Sequence, residues 1–352
     1  MEQRSSAVQH AAALVNLPPL LDEFGVSLGA VLTGTGLSAN DLQPGRFIPY
    51  AAFMEVLDRA AVLTDCDSIG LQLGLRHGLA AMGPLGVAMR SAATLGEALA
   101  DFAAFQITNS TGAAVYLHRA DGEVMLGYGV YDRAHAASRH VYDAVLAAGT
   151  VLLSELTKGA VRPTEFEFIR TAPRDTLPWQ SLGAPIRFGQ ARSCIFLSRA
   201  ALSFPLPTAD LQARTQALAD ISRRLGTAPW GWTGRTRHAI FALMLDGRSK
   251  MPDVARFLDV HPRSLRRELA RDGTRFETIK DDVRHAVSRE LLSLTSLPVG
   301  EIAETLDFAT PNAFNRAFRR WSGASPTAWR DRQRSAVYSE ELPKPHSSDG
   351  TG

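Results

Sequence analysis

At 352 residues the chain has room for two or three domains, and its 45% apolar and 21% charged residues exclude a disordered or fibrous protein. Two cysteines, Cys66 and Cys194, exclude a disulfide framework, and neither sits at metal-ligand spacing. The net charge of +2 conceals a split: Arg235 to Arg334 carries 19 Lys/Arg against 13 Asp/Glu (+6), the remainder 19 against 23 (−4). A basic C-terminal third suits a module that meets phosphates.

Met1 to Gln9 lacks a charged segment leading into an apolar core, so no secretory signal is read there. No apolar run approaches the roughly 20 residues that span a bilayer. The expectation is a cytoplasmic protein without a membrane partner. Along the chain, Pro49 to Leu63 predicts a helix, with Phe53, Val56, Leu57 and Ala60 at i, i+3, i+4, i+7. Gly83-Pro84-Leu85-Gly86 punctuates the chain before two more helical stretches. The second opens at Thr94 with Glu97 three residues on, the pattern of a capping box.

The period then changes. Val115, Leu117, Val124 and Leu126 alternate around Ala120-Asp121-Gly122, which predicts a hairpin. A long helix, roughly Ala136 to Thr157, follows. Glu165 to Ile169 predicts a strand, and Ile186 to Phe188 with Cys194 to Leu197 a second hairpin. Helices followed by strands make residues 1–207 an α+β domain. Ala209 to Leu225 predicts a connecting helix with Leu211, Leu218, Ile221 and Leu225 on its apolar face and Arg214, Asp220, Arg223 and Arg224 among the rest. Gly226 to Gly234 is rich in breakers and marks a boundary, giving a linker of helix and loop over 208–232. Residues 335–352 have nothing to bury and are expected to be disordered.

Residues 233–334 predict an all-α domain in which one pattern occurs twice. The first copy reads Val254-Ala255-x-x-Leu258-Asp259-Val260, then Leu265-x-Arg267-x-Leu269. The second reads Ile302-Ala303-x-x-Leu306-Asp307-Phe308, then Phe314-x-Arg316-x-Phe318. The first halves lie 48 positions apart and the second halves 49. Each copy is a helix-turn-helix, and Phe276 to Leu292 is a helix joining them. Its seventeen residues span about 25 Å at 1.5 Å each, compatible with recognition helices one duplex turn, roughly 34 Å, apart.

Pro252 is read as the first residue of one leading helix and Pro298 as the opening of the other. His261 and Thr310 stand at the N-caps of the two recognition helices, with Pro262 and Pro311 at N1. Leu265 and Leu269 face the core, so Arg263, Arg266 and Arg267, with Ser264, are left for guanine or phosphate. Phe314, Ala317, Phe318 and Trp321 form the second buried stripe. Asn312, Asn315, Arg316 and Arg319 face outward, and asparagine can pair bidentately with adenine. Taken singly, an exposed arginine is most often a solubilising residue, and Arg267 or Arg316 could serve a salt bridge within the module. Two correctly phased copies are what point to DNA.

Residues 235–330 resemble the DNA-binding domain of the AraC/XylS family. The motif is Ile302-Ala303-x-x-Leu306-x-Phe308, then Pro311-x-Ala313-Phe314-x-Arg316-Ala317-Phe318-Arg319-Arg320-Trp321-x-Gly323-x-Ser325-Pro326-x-x-Trp329-Arg330. Asp307 departs from the glycine usual at that turn, and His261 from the usual serine cap. Aspartate tolerates left-handed backbone, so the turn is expected to persist. The N-terminal region is similar to the arabinose-binding-like sensor domain of ornithine-regulator-type members, on Gly83-Pro84-Leu85-Gly86, Thr94-Leu95-Gly96-Glu97-Ala98-Leu99, and Leu182-Gly183-Ala184-Pro185-Ile186-Arg187-Phe188 leading to Leu202-Ser203-Phe204-Pro205-Leu206.

The resemblance implies a bacterial regulator of promoter DNA that senses a small effector or self-associates as a homodimer, and that works with RNA polymerase. No cofactor and no metal are expected. The effector would act through the 209–225 helix. A sensor region that serves only for dimerisation is the plainer version. The alternative from another class is a DNA-modifying or repair enzyme with an appended helix-turn-helix domain. That reading needs an activated nucleophile. Cys66 sits among carboxylates, which raise a thiol pKa, and Cys194 has no adjacent base. His135 and His140, five apart, do not share a helix face.

Overall fold

The computed structural model describes residues 7–43, 45–120, 123–130, 138–190, 192–227, 231–244, 247–294 and 298–332. The expected disordered tail and the Asp121-Gly122 turn lie outside them. The chain divides into two compact units, Met1–Val283 and Arg284–Gly352.

The first unit opens with strand β1 (Val8–His10), which pairs antiparallel with β2 (Phe47–Pro49). Helices α1 (Leu17–Glu23) and α2 (Leu28–Leu32) lie between them. Next come α3 (Tyr50–Thr64), α4 (Ile69–Gly74), α5 (Pro84–Arg90) and α6 (Leu95–Phe105). Their apolar faces bury Leu57, Leu71, Leu85 and Leu95 in one core. Thr94 caps α6 as the sequence predicts, its hydroxyl accepting from the Glu97 amide at 3.3 Å. Glu97 returns its carboxylate to the Ala93 amide rather than to the cap residue.

Strands β3 (Ala113–Ala120) and β4 (Glu123–Val130) form the expected hairpin, with Ala120 opposite Glu123. Helix α7 (Ser138–Thr157) follows, then β5 (Glu165–Glu167), β6 (Ile186–Arg187) and β7 (Ser193–Ser198). The second expected hairpin does not form. The sheet order is β3-β4-β7-β5-β6, so β5 separates β7 from β6. Strand β6 pairs with β5 in parallel, while β7 is antiparallel to both β4 and β5. Sequence adjacency pointed to the wrong neighbour because β5 inserts from a distance.

Helix α7 lies backbone to backbone on α4. A Cβ on Gly70 would stand 2.2 Å from the His140 carbonyl oxygen, and one on Gly74 2.0 Å from that of Ala144. Two glycines four apart on one face set this close approach. On α7 itself an ionisable group is sealed into the core. Asp143 is fully buried and pairs with Arg170, which also pairs with Asp67. The Trp179 indole donates to Asp143 at 3.4 Å, and the Arg170 guanidinium lies 4.9 Å over that ring.

Helix α8 (Leu211–Thr227) packs on α5. Two readings of it need correction. Leu211 is 78% exposed, and Ala217 with Ile221 supplies the buried face. Arg214 turns inward, pairing with Asp101 at 2.9 Å and with Glu97. Within the breaker-rich stretch, helix α9 begins at Gly231 and runs to Met244. The first helix-turn-helix follows as α10 (Met251–Phe257) and α11 (Pro262–Arg271). Lys250 is the N-cap of α10, which places Pro252 one position later than expected.

Helix α12 (Phe276–Leu294) is the predicted joining helix, with Ile279, Val283 and Val287 buried. The second unit continues as α13 (Val299–Thr305) and α14 (Pro311–Ser322). Ile302, Leu306, Phe314 and Phe318 are fully buried in it, and a buried side chain of this size stabilises by about 1.5–3 kcal/mol. The fold class is therefore an α+β N-terminal domain followed by an all-α region with two helix-turn-helix units.

Candidate nucleic-acid interface

Both turns are built alike. Asp259 has φ +53° and Asp307 φ +58°, so each helix pair turns on an aspartate in the left-handed region. Few residue types enter that region, and aspartate is one of the better tolerated. The expected persistence of the Asp307 turn holds. Arg284 steadies it: its guanidinium donates to the Leu306 carbonyl at 2.8 Å and to that of Asp307, and stacks 4.3 Å over Phe308. The donor therefore satisfies carbonyls that the end of α13 leaves open.

The recognition helices start at the predicted caps. The Thr310 hydroxyl accepts from the Ala313 amide at 3.1 Å. His261 caps α11 through Nδ1, which accepts from the Arg263 amide at 3.1 Å. That bond leaves the exposed Nε2 as a donor, so capping and a phosphate contact are compatible roles for one ring.

On α11, Leu265 and Leu269 are buried while Arg263, Arg266 and Arg267 are exposed and Ser264 is half-buried. Arg263 makes no ion pair among the described residues. Arg266 rests 3.9 Å from the Met251 sulfur. Arg267 pairs with Glu268 at 3.2 Å, and Arg271 shares that carboxylate at 2.9 Å. The salt-bridge role left open for Arg267 is thus present. On α14, Asn312, Arg316 and Arg319 are exposed, and Asn315 is half-buried. Arg316 and Arg319 make no ion pair among the described residues. Each helix carries its own candidate set on its solvent side.

Sequence reading missed α9, which ties the first of these units to the sensor. His238 donates Nε2 to the Ala103 carbonyl of α6 at 2.7 Å. Phe241 packs on Tyr116 of β3 with ring centroids 6.1 Å apart, and a Cβ on Gly129 would stand 2.3 Å from its ring. At its other side α9 meets α10 and α11. The Asp272 carboxylate closes this corner, accepting from the Thr233 amide at 2.8 Å and its hydroxyl at 3.0 Å. The signal for α9 was weak because a helix buried on two sides shows no clean polar face.

Neither thiol is an activated nucleophile. Cys194 is buried and donates to Glu167 at 3.7 Å, and burial pushes its pKa upward. Cys66 touches the Ser68 hydroxyl and the Gln72 amide, neither of which is a base. Among the described residues no group of three or more His, Cys, Asp or Glu gathers as a metal site. No described helix is long and apolar enough to cross a membrane.

Two family models agree with this architecture. Residues 25–206 match the family model described as the arabinose-binding domain of AraC transcription regulators, N-terminal, and residues 254–332 match a helix-turn-helix domain. The HTH-type transcriptional regulator VirS of Mycobacterium tuberculosis is 26% identical over 82% of this chain and 88% of its own length. The ornithine utilization regulator of Pseudomonas aeruginosa is 27% identical over 92% of this chain and 96% of its own. Among solved structures, the transcriptional regulator CdpR of Pseudomonas aeruginosa aligns over 86% of this chain and 96% of its own, with 25% identity and a TM-score of 0.43. A sensor-type domain followed by two helix-turn-helix units, matched by that family model over residues 25–206, makes the chain a member of the AraC family of DNA-binding transcription regulators.

Proposed function

We propose that this regulator reads promoter DNA with Arg263, Ser264, Arg266 and Arg267 of α11 and with Asn312, Asn315, Arg316 and Arg319 of α14. The observation that carries this is the shared construction of the two units: a left-handed aspartate turn, a capped recognition helix, and a solvent face of arginine or asparagine. The first helix offers a guanine- and phosphate-directed set, the second a mixed adenine and phosphate set. Residues 1–207 act as the sensor, 208–232 as the connector and 233–334 as the reader. Its action is by binding, not by chemistry, as the raised Cys194 thiol supports. It works in the cytoplasm beside RNA polymerase, and self-association as a homodimer would fit paired half-sites.

Fluorescence anisotropy on fragments of the protein's own upstream region tests the assignment. One fragment should bind far more tightly than random duplex, with an affinity that falls steeply as salt rises because phosphate contacts release counterions. Equal affinity for every fragment would remove the proposal.

A further inference from the structure

Within the N-terminal domain, β1, α3, α4, α6 and α7 surround a cavity of about 110 Å³ that is partly open to solvent. Phe53, Met82 and Phe102 contribute apolar wall. No Asp, Glu, Lys or Arg is among its lining residues. Gln106 lines it while only 5% exposed, and its Oε1 has no hydrogen-bond partner among the described residues. An acceptor buried in that way is satisfied only by a donor that arrives from within the cavity.

The neighbouring polar groups are neutral as well. Burial lowers the pKa of both His10 and His77, and for His10 the charge of Arg224 adds to it. The His10 Nδ1 accepts from the Ala12 amide at 3.2 Å, so its proton sits on Nε2 and can be donated. Arg224 bears on His10 and Glu155 on His77, but neither lines the cavity, so an ion placed here would lose its hydration with no charged side chain on the wall to pair with. Amino acids and fatty-acid carboxylates are disfavoured for that reason. The size limits the ligand to about a single ring: a closed cavity of about 150 Å³ holds benzene, and this one is smaller but partly open.

We infer that this cavity is the effector site and takes a compact uncharged ring bearing one hydroxyl, whose O–H donates to Gln106 Oε1. The inference rests on reading the N-terminal domain as a sensor, and it assigns that sensor a place and a ligand chemistry. A hydroxyl also accepts, which matches the donor that His10 offers beside it.

Isothermal titration of the full chain without DNA, using phenol, benzene, benzoate and benzylamine as probes, tests this. Phenol should bind saturably, with benzoate and benzylamine weaker by about tenfold or more. Gln106→Leu should weaken phenol by about tenfold while leaving benzene unchanged or tighter. Ala148→Leu, which fills the cavity, should abolish binding of both, with circular dichroism showing both variants folded. Benzoate binding as tightly as phenol, phenol unaffected by Ala148→Leu, or no saturable binding of either neutral ring would each overturn the inference. Promoter affinity of the same proteins is measured separately. Intact DNA binding without ring binding removes the cavity assignment alone, and ring binding without DNA binding removes the reader assignment alone.

Discussion

His238 of α9 is bonded to Ala103 at 2.7 Å, and Ala103 is the chain neighbour of Phe102, whose ring forms part of the cavity wall. One peptide unit therefore separates the candidate effector from the helix that anchors the first DNA-reading unit. Gln106 lies one turn further along the same segment. A ligand that shifts Phe102 or Gln106 would alter the carbonyl that holds His238. The signal expected to pass through α8 has a shorter route here, although α8 is also fastened to α6 through Arg214 and Asp101.

This contact should fail in acid. Burial lowers the His238 pKa to about 4, below its usual 6.5. The unfolded chain then binds the proton more readily, so the stabilisation is complete above about pH 6.5 and is lost as pH falls toward 4. Between about pH 7.5 and pH 5 the loss is on the order of 2 kcal/mol for this residue. His140 and His285, also lowered to about 4, act in the same direction. His238→Gln keeps a donor and removes one titration, so its melting temperature should fall less between those two pH values than that of the wild type.

The two recognition faces should respond differently to mutation. Asn315→Ala or Asn312→Ala is expected to weaken specific binding by about 1–3 kcal/mol and to relax the preference at one adenine. Arg316→Ala should weaken all sequences alike and reduce the slope of log affinity against log salt by about one. A salt titration on matched and mismatched duplexes separates these outcomes. Arg267→Ala should cost less than Arg263→Ala, because Arg267 already shares Glu268 with Arg271.

Arg170→Met leaves Asp143 buried without its cation. Breaking such a pair costs about 3–5 kcal/mol, and the lower end is expected because the carboxyl can take a proton. Burial has already pushed it up to about 7 against the pull of Arg170. The deficit should therefore grow as pH rises and shrink toward pH 5. Urea unfolding at the two pH values measures it, and adding Asp143→Asn should recover most of the loss.

Gly74→Ala tests the α4–α7 contact. Its new methyl would meet the Ala144 carbonyl oxygen at 2.0 Å, and backbone cannot turn aside as a side chain can. A loss of about 1–3 kcal/mol is expected, read as a lower denaturation midpoint. Gly159→Ala, placed where nothing approaches a Cβ but where φ is +76°, should lose only about 1–2 kcal/mol from strain.

What could be read in advance followed from local chemistry. The β3–β4 hairpin declared itself through alternation around one turn, and both recognition helices through a cap, a proline and an apolar pair four apart. Asp307 was legible because a left-handed turn admits few residue types. The partner of β7 was not legible, since β5 enters between β7 and β6 from 27 to 31 positions before the β7 residues it pairs with. Arg214 looked like a solvated residue because a charged side chain on an amphipathic helix normally is one, and its partners sit 113 and 117 positions away. Helix α9 was hidden by Gly231, Trp232 and Gly234 in its first turn and by its burial on two sides. The cavity had no motif at all: its lining comes from separate elements, and only the orphaned Gln106 oxygen marks it.

The docking of α9 carries an asymmetry. The domain that holds the cavity grips α9, and α9 in turn braces α10 and α11, whereas α14 rests on a core of its own with Phe314 and Phe318 at its centre. An inducer would then reset one half of the operator and spare the other. Nuclease protection with and without inducer should change over the bases under Arg263 and stay constant over those under Asn315, so that promoters could tune responsiveness and occupancy by varying different halves of a single site.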